Sequence, residues 1–408
     1  MKNLCILPFM HTLILPDGDI NLCCNGKIDE NMPSVSDNLN NILNNPRHMA
    51  VRKEMLEGGK PKACSQCWDN ESLGMQSYRQ MQNMTYVKYF PRVLFTNKTT
   101  GNINLGVKYF DVRFNNTCNY KCVMCTSSFS SLWIDDEKKL IPIVSDNNLK
   151  NELTDRENNY DRESFKWSQD GEIVKSIINT AHTLERIHFA GGEPLLSKHH
   201  TFLIKELIRL KLAHKLFLSY NTNGELINDE LLSLWSHFKR VKIFYSLDSI
   251  REKNDYIRFP SVWEEHETRL DHIDSETPKN IDWKLLSTVS LLNIAYIPEM
   301  TEWKLSKNYK NIHNNFLDGN LFHTSYVRYP NYLSSNVLPL EIKSQIKEKI
   351  IKSHKSRHYK KIASDAINVM CSDDKSDLLT QTKEYLNGLD SIRKTDFKKT
   401  FPILKDLF

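Results

Sequence analysis

Short apolar runs alternate with longer amphipathic stretches along the middle of the chain, from about residue 106 to residue 330. A parallel sheet with crossover helices requires this alternation of strand-like and helix-like segments. The predicted strands are Tyr109–Phe114, Arg186–Phe189, Leu216–Tyr220, Val241–Ser246, Trp283–Leu291 and Thr324–Tyr329. Six such units predict an α/β fold of the partial (β/α)6, TIM-like barrel type.

Residues 1–105 have a different pattern and are predicted to form a small separate module. Asp17-Gly18 is typical of a hairpin turn. An amphipathic stretch from Leu43 to Leu56 predicts a helix, which ends at the following pair of glycines. The predicted domains are therefore this module, the barrel at 106–330 and a C-terminal extension at 331–408.

The C-terminal extension is predicted to be helical. Ile342, Ile346 and Ile350 are spaced four residues apart, as on one face of a helix. Residues 135–171, in contrast, are polar and rich in Asn and Asp, and they predict an insertion or a long surface loop.

Composition places the chain among soluble globular proteins. Of its 408 residues, 40% are hydrophobic and 26% charged, which argues against disorder or a fibrous repeat. The net charge is +5, and the segment from Asn331 onward has 15 Lys and Arg against 10 Asp and Glu. A solvated basic helix face explains this surplus, and a nucleic-acid contact is the alternative.

The chain has nine cysteines, and we expect thiols in such a protein to serve metals or catalysis more often than disulfides. The apolar run from Leu4 to Leu15 is interrupted by Pro8 and His11, lacks a cleavage site and is too short to span a bilayer. We therefore expect a cytoplasmic protein without a membrane partner, in a compartment where thiols stay reduced.

Three cysteines, Cys118, Cys122 and Cys125, lie on one short segment directly after the first predicted strand. Three thiolates can hold three irons of a four-iron cluster and leave the fourth iron open to a small ligand. Structural zinc sites more often use two cysteine pairs or a Cys and His set, and no fourth cysteine lies nearby. The spacing favours the cluster, with zinc as the alternative.

This triplet resembles the hallmark of the radical S-adenosylmethionine (radical SAM) superfamily, whose three cysteines follow the first barrel strand. Ala190 to Pro194 resembles the family's Gly-Gly-Glu-Pro segment, which binds the amino group of the cofactor's methionine. The resemblance implies cofactor contacts from Gly191, Gly192 and Glu193.

Two later segments extend the resemblance. Residues 219–224 resemble the Thr-Asn-Gly segment that ends the third strand, and residues 246–258 resemble a Ser-x-Asp-Gly segment with a trailing Asp-x-x-Arg. The departures are Met124, where many members have an aromatic residue, and Ser249, where glycine is common. The further residues implied to lie beside the cofactor are Ser219, Asn221, Asn223, Ser246, Asp248 and Arg258.

Four N-terminal cysteines, Cys5, Cys23, Cys64 and Cys67, resemble the ligands of a Twitch domain, the short relative of the SPASM domain. The resemblance implies an auxiliary 4Fe–4S cluster in a module that here precedes the barrel. Two separated cysteine pairs are also compatible with a zinc ribbon. Neither Cys24 nor Cys371 has a predicted ligand role.

The resemblance as a whole implies an enzyme that cleaves S-adenosylmethionine reductively to a 5′-deoxyadenosyl radical. It implies a peptide or small carbinol substrate that is oxidised or crosslinked, and an electron donor such as flavodoxin or ferredoxin. The alternative is a metal-stabilised module that binds nucleic acid or protein through Lys343 to Lys361, without catalysis. The histidines that could accept a proton are His11, His182, His188, His199 and His323.

Overall fold

The computed structural model describes residues 3–28, 32–158, 160–312, 321–353 and 357–407. Its strands are β1 (His11–Ile14), β2 (Ile20–Asn21), β3 (Tyr109–Val112), β4 (Arg186–Phe189), β5 (Phe217–Thr222), β6 (Arg240–Ser246), β7 (Ile281–Val289) and β8 (His323–Tyr326). Its α-helices are α1 (Val35–Asn38), α2 (Pro46–Leu56), α3 (Ser65–Ser72), α4 (Tyr78–Thr85), α5 (Trp133–Leu140), α6 (Asn147–Asn158), α7 (Glu172–Thr180), α8 (Lys198–Arg209), α9 (Asp229–Ser236), α10 (Glu252–Ile257), α11 (Trp263–Glu276), α12 (Ile297–Ser306), α13 (Leu340–Ser353), α14 (Arg357–Met370), α15 (Leu379–Arg393) and α16 (Phe397–Thr400). No helix in these ranges is long and apolar enough to cross a membrane.

The chain forms two compact units, each built from three stretches of sequence. The first consists of Met1–Asn116, Asp161–Tyr220 and Asn228–Val241, and the second of Thr117–Tyr160, Asn221–Ile227 and Lys242–Phe408. All six predicted strands are present as β3 to β8, so the α/β class is confirmed. The domain limits at residues 105 and 330 stay a prediction.

The sheet of the first unit has the strand order β2-β1-β3-β4-β5. Strands β1, β3, β4 and β5 run parallel, and β2 is antiparallel to β1. On one face, Phe189 and Tyr220 stack with ring centroids 5.1 Å apart and contact His200 of α8 and Trp235 of α9. Helices therefore cover this apolar face, as crossover connections in an α/β protein require.

The N-terminal segment joins this sheet directly. The predicted turn at Asp17-Gly18 is confirmed, since Gly18 has φ +90° between β1 and β2. The parallel pairing of β1 with β3 was not predicted. Arg52 of α2 is buried, and its guanidinium donates to the carbonyls of Pro8, Leu43 and Gly101, which ties distant parts of the segment together.

The second unit contains β7 and β8, which pair in parallel, and most of β6. The amphipathic helix predicted in the C-terminal extension is confirmed as α13, in which Ile342, Ile346 and Ile350 are buried. The prediction of a long surface loop at 135–171 is wrong for residues 135–158, which contain most of α5 and all of α6. Leu140, Leu149 and Leu153 are fully buried there, because a few leucines at helical spacing suffice to anchor an otherwise polar segment.

Candidate functional site

The loop after β3 places Cys118, Cys122 and Cys125 together in the second unit, each half-buried. Hydrogen bonds to the end of α10 fix the loop backbone. Lys121 N donates to Phe259 O over 2.8 Å, and Val123 N donates to Ile257 O over 2.7 Å. The loop is therefore held by main-chain contacts to a segment more than a hundred residues later.

The three thiols lie within reach of one another's charge. Burial raises the pKa of Cys125 well above the usual range, and the charges of Cys122 and Cys118 raise it further. Thiolates are the form that binds metals. A cationic centre among these sulfurs would stabilise the thiolates and lower their pKa values again. The donor set thus fits an iron–sulfur cluster.

A buried ion pair lies beside the thiols. Arg258 Nε is 2.8 Å from Asp248 Oδ2, and Arg258 Nη1 donates to Cys122 Sγ over 3.8 Å. Burial raises the pKa of Cys122, while the Arg258 charge lowers it. Thr288 N donates to the second oxygen of Asp248 over 2.6 Å, which fixes the carboxylate. The predicted Asp and Arg are thus brought together next to a predicted cluster ligand.

The Thr-Asn-Gly segment also contacts the loop. Asn223 Nδ2 donates to Asn119 Oδ1 over 2.8 Å, and Asn119 in turn donates to Glu225. Sequence reasoning missed Asn119 and Glu225, because their pairing joins positions that lie far apart in the chain. Two other predicted residues of this unit, Asn221 at the end of β5 and Ser246 at the end of β6, are half-buried and buried respectively.

Helix α15 of the C-terminal extension supports the same loop. Tyr385 OH donates to Val123 O over 2.8 Å, and its ring stacks on Trp133 with an interplanar angle of 12°. Trp133 Nε1 donates to Cys122 O over 3.0 Å. No pattern in the sequence predicts this contact, because Tyr385 lies outside every recognised motif.

An ion network at this point is almost inaccessible to water. Asp136 lies 2.8 Å from Arg393 Nε of α15 and 2.7 Å from Lys121 Nζ of the cysteine loop. The exposed fractions of the Asp136 and Arg393 side chains are 1% and 2%. Removing one partner of such a pair leaves an uncompensated buried charge, which costs about 3–5 kcal/mol.

In the first unit, the Gly-Gly-Glu-Pro segment runs against the end of β3. Gly191 has φ +118°, and a Cβ there would lie 2.9 Å from Arg113 Cβ. Gly192 N donates to Asn115 O over 3.2 Å. Glu193 is buried, and its carboxylate accepts from Leu195 N over 3.1 Å. The backbone at Gly191 lies so close to Arg113 that a side chain would not fit, which explains the glycine at this position.

The four N-terminal cysteines also lie near one another in the first unit. Burial raises the pKa of Cys64 to about 12, and the charge of Cys67 adds to this effect. Burial also raises the pKa of Cys23 well above its usual range, and the charges of Cys24, Cys5, Cys67 and Cys64 raise it further. Cys5 and Cys67 are buried. These contacts fit one shared cationic group, as at the first triplet.

All nine cysteines belong to the described residues, and no group of three or more Cys, His, Asp or Glu side chains in this part of the chain is arranged to hold a metal ion. A zinc ion would hold each sulfur at about 2.3 Å. A four-iron cluster holds its cysteines further apart, because sulfides lie between the irons. A four-iron cluster at either site would therefore need a wider separation of the sulfurs than a single zinc ion would.

The remaining residues named from the sequence differ in how far they are exposed to solvent. Cys24 and Cys371 are exposed, and so is His182. Ser219 lies fully buried in β5, where its hydroxyl contacts His188 Nδ1 at 2.9 Å. Burial lowers the pKa of His11 to about 3, so this ring stays neutral.

Family models match two parts of the chain. Residues 112–303 match the radical SAM superfamily, and residues 5–68 match SPASM, an iron–sulfur cluster-binding domain. These ranges contain every residue predicted to bind a cluster or its cofactor. They confirm the predicted family and the N-terminal module. A search of curated proteins gives no match.

Several solved structures are similar. The structure of anSMEcpe with bound AdoMet and Cp18Cys peptide is 15% identical, covers 60% of this chain and 58% of that chain, and has a TM-score of 0.34. SuiB of Streptococcus suis bound to S-adenosylmethionine is 12% identical, with 69% and 62% covered and a TM-score of 0.35. SuiB bound to precursor peptide SuiA is 11% identical, with 86% and 61% covered and a TM-score of 0.36. The chain thus spans less than two thirds of each of these proteins.

Gly224 can be tested for its role beside the loop. A Cβ at this position would lie 2.0 Å from Tyr245 Cε2, and the Tyr245 ring is fixed by a 2.6 Å hydrogen bond to His266. We expect Gly224→Ala to lower the free energy of unfolding by about 2–4 kcal/mol. Gly58→Ala is the matched control, since Gly58 also has positive φ but no atom within 4 Å, and it should cost about 1 kcal/mol. Equal losses in urea denaturation would contradict the steric argument.

Proposed function

We propose that this chain, which belongs to the radical SAM superfamily and carries an N-terminal SPASM iron–sulfur cluster-binding domain, abstracts hydrogen from a peptide or small carbinol substrate. The radical SAM domain implies a 4Fe–4S cluster and S-adenosylmethionine, and the SPASM domain implies auxiliary iron–sulfur binding. The observation that carries the proposal is the gathering of three half-buried thiols beside the Asp248–Arg258 pair.

Cys118, Cys122 and Cys125 would hold the catalytic cluster. When bound, the cluster and S-adenosylmethionine supply one-electron cleavage and a 5′-deoxyadenosyl radical. Arg258 suits a carboxylate of the cofactor because its guanidinium can donate two parallel hydrogen bonds. Glu193 is the buried carboxylate that would accept from the methionine amino group.

The other predicted residues support this arrangement. Gly191 and Gly192 keep side chains out of the way where the backbone must lie close to its neighbours. Trp133 and Tyr385 cover the loop with aromatic surface and limit the access of water. The polar residues that would contact the cofactor further out are Ser219, Asn221, Asn223 and Ser246.

Cys5, Cys23, Cys64 and Cys67 would hold an auxiliary cluster. All four lie inside the SPASM match, and mutual charge effects act on their pKa values. An auxiliary cluster can accept the electron that remains on a substrate after hydrogen abstraction, which suits oxidation or crosslinking. A flavodoxin or ferredoxin would supply the electron for cofactor cleavage.

Anaerobic reconstitution tests the proposal in one preparation. Iron and sulfide are counted per chain, and 5′-deoxyadenosine formed from S-adenosylmethionine is measured with dithionite as reductant. About eight irons with product formation would support two clusters. Four irons with product formation would assign the N-terminal cysteines to zinc or to no metal. Neither iron nor product would favour the non-catalytic binding module.

Cysteine substitutions separate the two clusters. We expect Cys118→Ala to abolish 5′-deoxyadenosine formation, because the catalytic cluster loses a ligand. Cys64→Ala should preserve cofactor cleavage and lower the iron content by about half. Cys371→Ala is the control, since this exposed thiol lies outside both matches, and it should change neither quantity. Product formation by Cys118→Ala would show that the ligand assignment is wrong.

The Glu193 assignment predicts a binding defect without loss of the metal. We expect Glu193→Gln to weaken S-adenosylmethionine binding about tenfold, because a neutral amide replaces a buried acceptor for a charged amine. Iron content should stay at the wild-type level. The measurement is equilibrium dialysis of the reconstituted protein, and an unchanged dissociation constant would count against the motif.

Tyr385 is predicted to position the cysteine loop. Both Tyr385→Phe and Tyr359→Phe remove one buried hydrogen bond to a carbonyl, that of Val123 or of Ile350, and each should cost about 1 kcal/mol of stability. Only Tyr385→Phe should also slow cofactor cleavage, by about tenfold, because it shifts cluster ligands. It should also alter the EPR spectrum of the reduced cluster. Identical spectra and rates for the two variants would reduce Tyr385 to a stabilising role.

A further inference from the structure

One face of the sheet in the first unit carries an unusual number of ionisable side chains. The register places His11, Tyr109 and Arg186 in one cross-strand row, and Asp111 and His188 in the next. Strands of a parallel sheet are ordinarily apolar on both faces, because both are covered. Asp111 and His188 are nonetheless 2% and 8% exposed, so this polar face is enclosed.

Arg186 is the cation of this face without a carboxylate partner in the described part of the chain. Its Nε and Nη2 donate to Ser219 Oγ over 3.1 and 3.0 Å, and its Nη1 donates to Tyr86 OH over 3.2 Å. The guanidinium also lies over the rings of Tyr109 and Phe217, 4.5 and 4.9 Å from their centroids. All of these contacts are with neutral groups.

The neighbouring charges leave an excess of positive charge. Arg113 Nε lies 3.7 Å from Asp111 Oδ1, so the one carboxylate of the two rows is matched by its own cation. Burial, with the charges of Arg186 and Arg113, lowers the pKa of His188 well below its usual range. His188 therefore stays neutral. The charges of both Arg113 and Arg186 act on Asp111, so two cations share one carboxylate and one positive charge of the face is left over.

Solvent reaches the enclosed polar face of the sheet at its arginines. Arg113 is half-buried beside the buried Asp111 and His188. Arg186 itself is only half-buried. We call this partly accessible part of the polar face the recess.

We propose that this recess is a subsite for a carboxylate of the substrate, bound by Arg186. The proposal rests on the proposed function and narrows its substrate to a molecule with an acidic side chain or a free C-terminus.

The free donors of Arg186 fit this ligand. A guanidinium has five N–H groups, and three are engaged, which leaves one on each terminal nitrogen. A carboxylate accepts two such bonds in parallel. The two oxygens of a carboxylate lie in one plane with the two N–H groups, whereas the oxygens of phosphate are arranged tetrahedrally.

The test uses the reconstituted full chain saturated with S-adenosylmethionine, so that the cofactor already occupies Arg258. Succinate is the probe, inorganic phosphate the competing source of an oxyanion, and sodium chloride the control at equal ionic strength. Succinate at about ten times its dissociation constant should raise the melting temperature by about 1–2 °C over chloride. Phosphate should raise it less.

Matched variants show whether Arg186 causes the rise in melting temperature with succinate. Arg186→Gln should lose the succinate shift, whereas Arg240→Gln should keep it, since Arg240 is exposed although it also lies over Phe217, at 5.9 Å. If Arg186→Gln does not fold, Arg186→Lys is used instead. Lysine keeps the charge but lacks the paired N–H groups of the guanidinium, so this variant should show a smaller succinate shift than wild type.

Three results would overturn the subsite: no succinate shift in the wild type, an undiminished shift in the folded Arg186 variant, or a larger shift with phosphate. Formation of 5′-deoxyadenosine is measured on the same wild-type preparation. Product without a succinate shift would end this inference and leave the proposed function standing. A succinate shift without product would leave the carboxylate site standing and would end the proposed function.

Discussion

The cysteine loop depends on hydrogen bonds that its own sequence cannot supply. A buried peptide group without a partner costs a large part of a hydrogen bond, and this loop has no strand or helix to provide one. Its amides at Lys121 and Val123 donate to the end of α10, and its carbonyls at Cys122 and Val123 accept from Trp133 and Tyr385. The thiols therefore hold their positions only when helices from three parts of the second unit are in place.

The C-terminal extension belongs to this support, although it lies outside both family matches. Asp136 balances cations from the loop and from α15, and the Arg393 guanidinium lies 4.5 Å from the centre of the Trp133 ring. A buried carboxylate between two cations is stable only while both remain. The second unit thus couples the folding of its last long helix to the geometry of its cysteines.

Local patterns allowed much of this molecule to be predicted from sequence. The six strands, the turn at Asp17-Gly18 and the grouping of the triplet follow from hydrophobic periodicity and short spacing. Features that depend on long-range pairing could not be found in this way. The pairing of β1 with β3 joins segments almost a hundred residues apart, and the Asp136–Arg393 pair spans 257. Helix α6 was missed because its two buried leucines lie in a strongly polar stretch.

The polar face of the sheet could not be predicted from the hydrophobic pattern alone. In β4, Arg186 and His188 alternate with Ile187 and Phe189, which is the pattern of a strand with one face in water. The same alternation arises when the polar face is enclosed, and only the burial of the side chains distinguishes the two cases. Enclosure removes the hydration that would otherwise stabilise a guanidinium, so a charge kept there must be balanced from within or by a ligand. In the first unit Asp111 pairs with Arg113, whereas the contacts of Arg186 are two hydroxyl groups and two aromatic rings, and the proposed carboxylate subsite rests on this difference.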